Sequence, residues 1–162
     1  MQLKKLAITG ALLIAIAGYM MSKPKLKYFT PQEFGVWYPL MNNQLLKKLD
    51  KFREILDSPV YISPAEGGLG RHDNSDSMHN VDKWGQLLAV DVFPTIEGQR
   101  VFSAEGRQKV YDAAIEAGFS GIGLYVDTSP SNMAHLDVRK ANNIATWSRI
   151  AGQYRGINEV LV

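Results

Sequence analysis

The chain of 162 residues contains no cysteine, so disulfide bonds and thiolate metal sites are excluded. Histidine is also scarce, with three residues in the whole chain. Any metal ion would therefore be held by these histidines together with aspartate or glutamate side chains. Hydrophobic residues make up 46% of the chain and charged residues 21%, an ordinary balance for one globular domain with a real core.

Acidic residues are missing from the first 27 positions, which contain five lysines. The formal net charge of +2 comes from this flank, because residues 28–162 contain 13 basic and 16 acidic residues and so carry a net charge of −3. Since the remaining chain shows no basic stripe, nucleic acid is not expected as a partner.

Long apolar runs are absent except at residues 6–21, which are uncharged and flanked by lysines. As a helix this segment would be about 24 Å long, against a hydrocarbon core of about 30 Å. Lysines that snorkel to the interface could close the gap, which favours an uncleaved transmembrane helix. A cleaved signal peptide ending near Ala17 is the alternative. The sequence thus predicts a membrane anchor or signal segment at 1–27 and one domain at 28–162.

The pattern after this flank predicts an α+β fold. Thr30 and Pro31 begin a helix, and apolar residues at three- and four-residue spacing predict an amphipathic helix over 43–56. Strands are predicted at 60–62, 87–93, 122–126 and 134–138, and a helix at 103–117. Residues 63–86 are a long polar loop, and 144–162 is ambiguous. These elements predict a small, mainly antiparallel sheet flanked by helices.

Three residues of this pattern have metal-binding chemistry. Asp91 lies in an apolar run, and His135 and Asp137 are two residues apart in a predicted strand. Residues i and i+2 of a strand share a face, so His135 and Asp137 would project together, joined by Asp91 if its strand is a neighbour. Two histidines and one carboxylate form a common catalytic zinc arrangement, and a further carboxylate can take a proton from activated water. Taken alone, each such residue is more often a solvated or capping residue.

The motifs S-x-H … A-V-D and G-I-G-L-Y … H-L-D-V-R resemble those of the zinc D-alanyl-D-alanine peptidase family. This family includes cell-wall carboxypeptidases, bacteriophage endolysin peptidases and, by fold, the hedgehog signalling domain. The resemblance covers roughly residues 55–150 and implies a hedgehog/D-Ala-D-Ala peptidase-like fold. The matching residues are Ser77, His79, Gly85, Ala89, Asp91, Gly121, Gly123, Tyr125, His135, Asp137, Arg139 and Trp147.

The resemblance implies that three residues bind Zn²⁺, namely His79, Asp91 and His135. Asp137 would be the catalytic base or a partner that supports a ligand. The candidate substrate-binding residues are Arg71, Ser77, Trp84 and Tyr125. Among them, Arg71 would contact a substrate carboxylate.

The chain departs from the family pattern at three places. The interval between His79 and Asp91 is longer than usual, as if N-V-D-K-W-G were inserted. The acid that many members carry three residues before the last histidine is Asn132 here, which cannot take a proton. The usual upstream S-G-Y-R segment is replaced by S-P-A-E-G-G-L-G-R. Asp137 must then act as the base, or the site is weakened.

The expected function is a membrane-tethered zinc metallopeptidase that hydrolyses amide bonds in peptidoglycan peptides, a cell-wall lytic enzyme of bacteriophage or virion type. The expected location is a bacterial envelope or the internal membrane of a virion, with the catalytic domain outside the lipid. The alternative, motivated by Asn132, is a non-catalytic, zinc-containing binding or structural module of an envelope or virion.

Overall fold

A computed structural model describes residues 23–162 of the chain. The α-helices are α1 (Pro31–Phe34), α2 (Asn43–Leu56), α3 (Val81–Trp84) and α4 (Ala104–Ala117). The strands are β1 (Val60–Ile62), β2 (Ala89–Ile96), β3 (Gln99–Arg100), β4 (Gly121–Tyr125), β5 (Met133–Asp137), β6 (Ala145–Ile150) and β7 (Gln153–Arg155). Two 3-10 helices span Gly35–Leu40 and Ile157–Glu159. The predicted mixed α+β architecture is confirmed.

The seven strands form one sheet in the order β1-β2-β5-β4-β6-β7, and β3 pairs with β2 outside this path. Among residues 23–162, β4 and β6 run parallel to each other, whereas the other paired strands are antiparallel. The sheet is therefore mainly antiparallel, as predicted. Strand β5 lies between β2 and β4, so its side chains have neighbours on both sides.

Side chains on the central strands alternate between the two faces of the sheet, as the period of two requires. One face is apolar and joins the core that includes α2 and α4: Val90, Val92, Ile122, Leu124, Ala134 and Leu136. The other face carries the intervening residues: Asp91, Phe93, Gly121, Gly123, Tyr125, His135 and Asp137. The helices therefore cover one face, and the second face carries Asp91, His135 and Asp137 beside a smaller apolar cluster that includes Phe93 and Tyr125.

Helix α2 has the bounds that its sequence predicts. The Asn42 side chain accepts hydrogen bonds from two backbone N–H groups at the start of the helix, at 2.7 and 3.2 Å. Asp57, in a left-handed conformation with φ +46°, ends it. The buried side of the helix consists of Leu45, Leu46, Leu49 and Phe52. Burial of each such side chain contributes roughly 1.5–3 kcal/mol, which fixes this helix on the sheet.

Strand β2 begins two residues later than predicted, and it ends later because Pro94 does not interrupt it. The Thr95 N–H donates to Pro59 O on the β1 side, so the Pro94 nitrogen faces the opposite side. The pairing with β5 ends at Val92, so no ladder bond is lost at Pro94. The region that the sequence left ambiguous, 144–162, contains β6, β7 and a 3-10 helix.

The predicted membrane-anchored localisation is corrected by the structure. Among residues 23–162, no helix has both the length and the apolar character needed to cross a membrane. The segment on which that prediction rested, residues 6–21, lies outside the described residues.

Candidate metal centre

Two neighbouring strands place three polar residues together on the sheet face opposite the helices. His135 and Asp137 lie two residues apart in β5, and Asp91 in β2 lies directly opposite His135 in the antiparallel register. His135 is 7% exposed and Asp137 is fully buried. The shared face that strand geometry predicts for these residues is therefore present.

His79 reaches the same point from the long loop between β1 and β2, and it is 1% exposed. The Ser77 hydroxyl accepts a hydrogen bond from the His79 backbone N–H at 3.2 Å. The Asn80 side chain is also buried and donates to the carbonyls of Asp73 and Ser75, both at 2.7 Å. Local side chain–backbone bonds therefore give this loop a defined shape without regular secondary structure.

The three predicted zinc ligands converge on one point, with their ligand atoms within 4.8 Å of one another. Nε2 of His79 lies 3.3 Å from Oδ1 of Asp91 and 3.2 Å from Nδ1 of His135. Nδ1 of His135 lies 2.9 Å from the same Asp91 oxygen. Ligands of a tetrahedral zinc ion, at bond lengths of about 2.0–2.1 Å, are about 3.3 Å apart. The cluster therefore has the spacing and the donor types that a zinc ion requires.

In each imidazole, the outer nitrogen, which faces away from the other two ligands, lies against a hydrogen-bond acceptor. Nδ1 of His79 lies 2.7 Å from the Leu69 carbonyl oxygen, and Nε2 of His135 lies 3.1 Å from Oδ2 of Asp137. Because a carbonyl or a carboxylate accepts but does not donate, each of these nitrogens carries the hydrogen. The inner nitrogens, Nε2 of His79 and Nδ1 of His135, face Asp91 and are the atoms that would bind a metal in place of a proton.

Asp137 lies behind His135, on the side away from Asp91. Its carboxylate accepts hydrogen bonds from the Arg139 backbone N–H at 3.0 Å and from the Arg139 Nε at 2.9 Å. Burial raises the pKa of Asp137, but the hydrogen bonds from His135 and Arg139 outweigh burial and lower the pKa to about 2. This ionised, fully buried carboxylate is placed to orient His135. Its role as the catalytic base stays a prediction.

The same contacts determine the charge of the ligands in the metal-free site. Burial raises the pKa of Asp91, but hydrogen bonds from His135 and His79 outweigh it and hold the pKa well below its usual range. Burial lowers the pKa of His135, but its hydrogen bonds to Asp137 and Asp91 outweigh this and raise it. Asp91 is therefore ionised at neutral pH, and a bound cation would offset the cost of burying it.

Two glycines of β4 make room for the residues around His135. A Cβ at Gly121 would lie 2.1 Å from a carboxylate oxygen of Asp137, and a Cβ at Gly123 would lie 2.5 Å from the Trp147 indole. Gly123 lies between His135 and Trp147 in the sheet register. Without a side chain at this position, the indole reaches across β4 to within 5.2 Å of the His135 ring, measured between centroids. This is a physical reason for the G-I-G motif.

The cluster lies at the bottom of a cleft of about 790 Å³. The predicted substrate-binding residues Arg71, Ser77 and Tyr125 line it. The Arg71 Nε is buried and has no hydrogen-bond partner among residues 23–162, and the nearest carboxylate, that of Asp73, lies 3.8 Å away. Burial raises the pKa of Tyr125, which stays a neutral phenol. The cleft also contains arginines and aromatic residues that the sequence did not predict as binding residues: Arg139, Trp147, Arg149 and Tyr154.

Trp84, also predicted to bind substrate, does not line this cleft. The segment that resembles an insertion forms α3, which Asn80 caps and Gly85 ends with φ +67°. The helix carries the indole outward, where it is 37% exposed and its Nε1 donates to the Ser77 carbonyl at 2.9 Å. Trp84 therefore contacts the loop from outside the cleft, and its part in substrate binding stays a prediction.

Asn132, the residue at the position of the expected acid, points away from the cluster. Its Oδ1 accepts a hydrogen bond from Nη1 of Arg107 in α4 at 3.0 Å, and the residue is 7% exposed. A residue three positions before His135 along an extended chain projects to the opposite face of the sheet. The Asn132 amide therefore bonds to Arg107 instead of facing the cluster.

Some residues of the site gave no sequence signal. Leu69 contributes a backbone carbonyl, which any residue type could supply. Arg149 and Tyr154 belong to the stretch whose secondary structure was ambiguous, so nothing placed them beside the cleft. A clearer strand pattern in that stretch would have been the signal that located them.

Comparison with protein-family models, with curated proteins and with solved structures finds no match to this chain. The family resemblance therefore rests on its motifs, and the structure adds a His79–Asp91–His135 group that could hold a metal ion.

Proposed function

We propose that the protein is a zinc metallopeptidase that hydrolyses amide bonds in peptidoglycan peptides, with His79, Asp91 and His135 as the metal ligands. One observation carries this proposal. The three ligand atoms converge at 2.9–3.3 Å from one another, and acceptors hold the outer nitrogens of both imidazoles. A fold of the hedgehog/D-Ala-D-Ala peptidase type, with its catalytic zinc, is part of the same proposal.

The residues of the chain have separable tasks in this function. A zinc ion held there would supply Lewis-acid chemistry, since it polarises a carbonyl group and activates water. The Leu69 carbonyl and the Asp137 carboxylate keep His79 and His135 in the tautomers that bind a metal. The Trp147 indole packs against the His135 ring, with 5.2 Å between centroids, and so restricts the movement of this ligand.

The cleft suits a substrate that carries carboxylates, as peptidoglycan peptides do. Arg71 has a buried Nε that lacks a hydrogen-bond partner in the described chain, and a carboxylate would satisfy it. Arg139 and Arg149 line the cleft as well, but their ion pairs with Asp137 and Asp127 are closer than the 3.8 Å pair of Arg71 with Asp73. Arg71 is therefore the residue that we expect to bind a substrate carboxylate.

The proposal is tested with the full chain loaded with zinc. Metal content is measured by mass spectrometry, and purified peptidoglycan is then digested and searched for new amine ends. We expect one zinc ion per chain and new amines that are absent from digests with the His135→Ala variant or with chelator. A chain without bound zinc contradicts the metal site, and stoichiometric zinc without new amines contradicts the peptidase.

A second candidate function is a zinc-containing binding module. The observation that favours it is the lack of a free acid beside the ligands. Among the described residues, the acids that line the cleft besides Asp91 are the exposed Glu66 and Asp76, and Asn132 points away. Retention of the zinc-loaded chain on insoluble peptidoglycan, with no release of amines, would support this function over the first.

A further inference from the structure

A short backbone segment, Gly68–Arg71, holds two of the proposed ligands by its main-chain groups. The Gly68 carbonyl accepts a hydrogen bond from the Asp91 N–H at 2.9 Å, and the Leu69 carbonyl accepts from Nδ1 of His79 at 2.7 Å. The Arg71 N–H donates to the His79 carbonyl at 3.0 Å. Any shift of this segment would therefore strain its hydrogen bonds to both ligand residues, including the one that selects the His79 tautomer.

The segment belongs to the irregular loop between β1 and β2, so its position is not determined by the sheet alone. Trp37 of the first 3-10 helix supports it from the side opposite the metal cleft. The Gly70 backbone lies against the indole so closely that a Cβ at Gly70 would be 2.6–2.8 Å from three ring carbons. The His72 ring also packs on Trp37, with 5.4 Å between centroids. The indole thus contacts the segment at its third residue and just beyond its end.

Trp37 is a suitable support because its 3-10 helix is attached to the core at Trp37, Tyr38 and Leu40. Neighbouring Tyr38 is buried in the main core cluster, and Trp37 itself packs against that cluster. A second cavity, of about 900 Å³, lies on this side of the loop and has Trp37 and residues 62–67 and 69–72 in its lining. The loop therefore has open space on two sides, and the indole is a large rigid contact that limits its movement.

We infer that Trp37 is a positioning residue for the metal centre, acting on His79 and Asp91 through its contact with the Gly70 backbone. This inference rests on the proposed function, since it takes His79 and Asp91 to be metal ligands. It goes beyond that function because Trp37 lies outside the metal cleft and comes from a part of the chain, residues 35–40, that the family resemblance does not cover.

Two substitutions, one on each side of the contact between Trp37 and Gly70, test this role. Trp37→Ala removes the indole, and Gly70→Ala adds a methyl group where the indole stands. Each should weaken zinc binding about 10-fold or more, the usual result of disturbing a partner of a metal-binding histidine. In the double variant the methyl group has room, so the two effects should be less than additive. Trp37→Phe, which keeps an aromatic ring, should restore most of the affinity.

A readout on the metal-free protein separates positioning from general stability. Long-range ¹H–¹⁵N spectra of the imidazoles should show a hydrogen on Nδ1 of His79, bonded to the Leu69 carbonyl, in the wild type, and a partial loss of this signal in Trp37→Ala and Gly70→Ala. The matched control is Val110→Ala, a core change in α4 that leaves the segment untouched. It should lower the melting temperature yet keep the tautomer and the zinc affinity of the wild type.

The outcomes distinguish the inference from the proposed function. If the wild-type chain binds no zinc, the proposed function fails, whereas the tautomer measurement still tests the contact. If the wild type binds zinc and both single variants keep its affinity and its His79 tautomer, the positioning role of Trp37 is overturned. Equal losses of affinity in Val110→Ala and in the two contact variants would also overturn it.

Discussion

Replacing Asp137 by asparagine tests how His135 is oriented. The wild-type carboxylate accepts a hydrogen bond from Nε2 of His135 at 3.1 Å and further bonds from Arg139 at 2.9–3.0 Å. An asparagine side chain has one oxygen that accepts and one NH₂ group that donates. When its oxygen accepts from Arg139, its NH₂ faces His135. That contact favours the tautomer with the hydrogen on Nδ1, the atom that should bind the metal.

The structure gives the size of the expected effect. The pKa of Asp137 is lowered from 3.8 to about 2, so the fold stabilises its charged form by about 2 kcal/mol. Asp137→Asn should lower the free energy of unfolding of the metal-free protein by about this amount. Because the folded pKa is the lower one, the stabilisation is present above about pH 4 and is lost as the pH falls through about 2. The zinc affinity should fall about 10- to 100-fold.

Denaturant titration of the metal-free protein measures the first effect, and competition with a chromophoric chelator measures the second. Asp127→Asn is the matched control, because Asp127 pairs with Arg149 at 2.9 Å but is not hydrogen-bonded to a proposed ligand. It should lose some stability and keep its zinc affinity. Wild-type affinity with lost turnover in Asp137→Asn would refute the orienting role and support the predicted base. Equal losses of affinity in both variants would attribute the effect to charge in general.

Three further predictions concern the metal, the β4 glycines and the core. Zinc at 100 times its Kd should stabilise the wild type by about 2.7 kcal/mol in a thermal-shift assay, and the Asp91→Ala variant should show no such gain. Gly123→Ala should move the Trp147 indole off His135, which changes the visible spectrum of the cobalt-substituted protein; an unchanged spectrum would contradict the role given to Gly123. Phe52→Ala, at a fully buried ring that packs edge-on against Phe119, should lower the free energy of unfolding by about 3–5 kcal/mol, as read from denaturant midpoints.

Local sequence signals predicted the elements whose boundaries depend on neighbouring residues. Helix α2 begins after an asparagine cap and ends at Leu56, before Asp57, because its side-chain periodicity and capping are properties of the segment itself. The shared face of His135 and Asp137 follows from strand geometry in the same way. The position of Trp84 outside the cleft was not predictable, because a residue in a long loop has no period that fixes its direction.

The sequence by itself determined which residue types could bind a metal, since a chain without cysteine and with three histidines leaves few ligand sets. It also determined that His135 and Asp137 share a face. The tertiary structure alone decided that Asp91 lies opposite His135, that His79 closes the cluster, and that Asp137 faces the outer nitrogen of His135. Strand order and loop path depend on contacts between residues far apart in the chain, and no local pattern encodes those contacts.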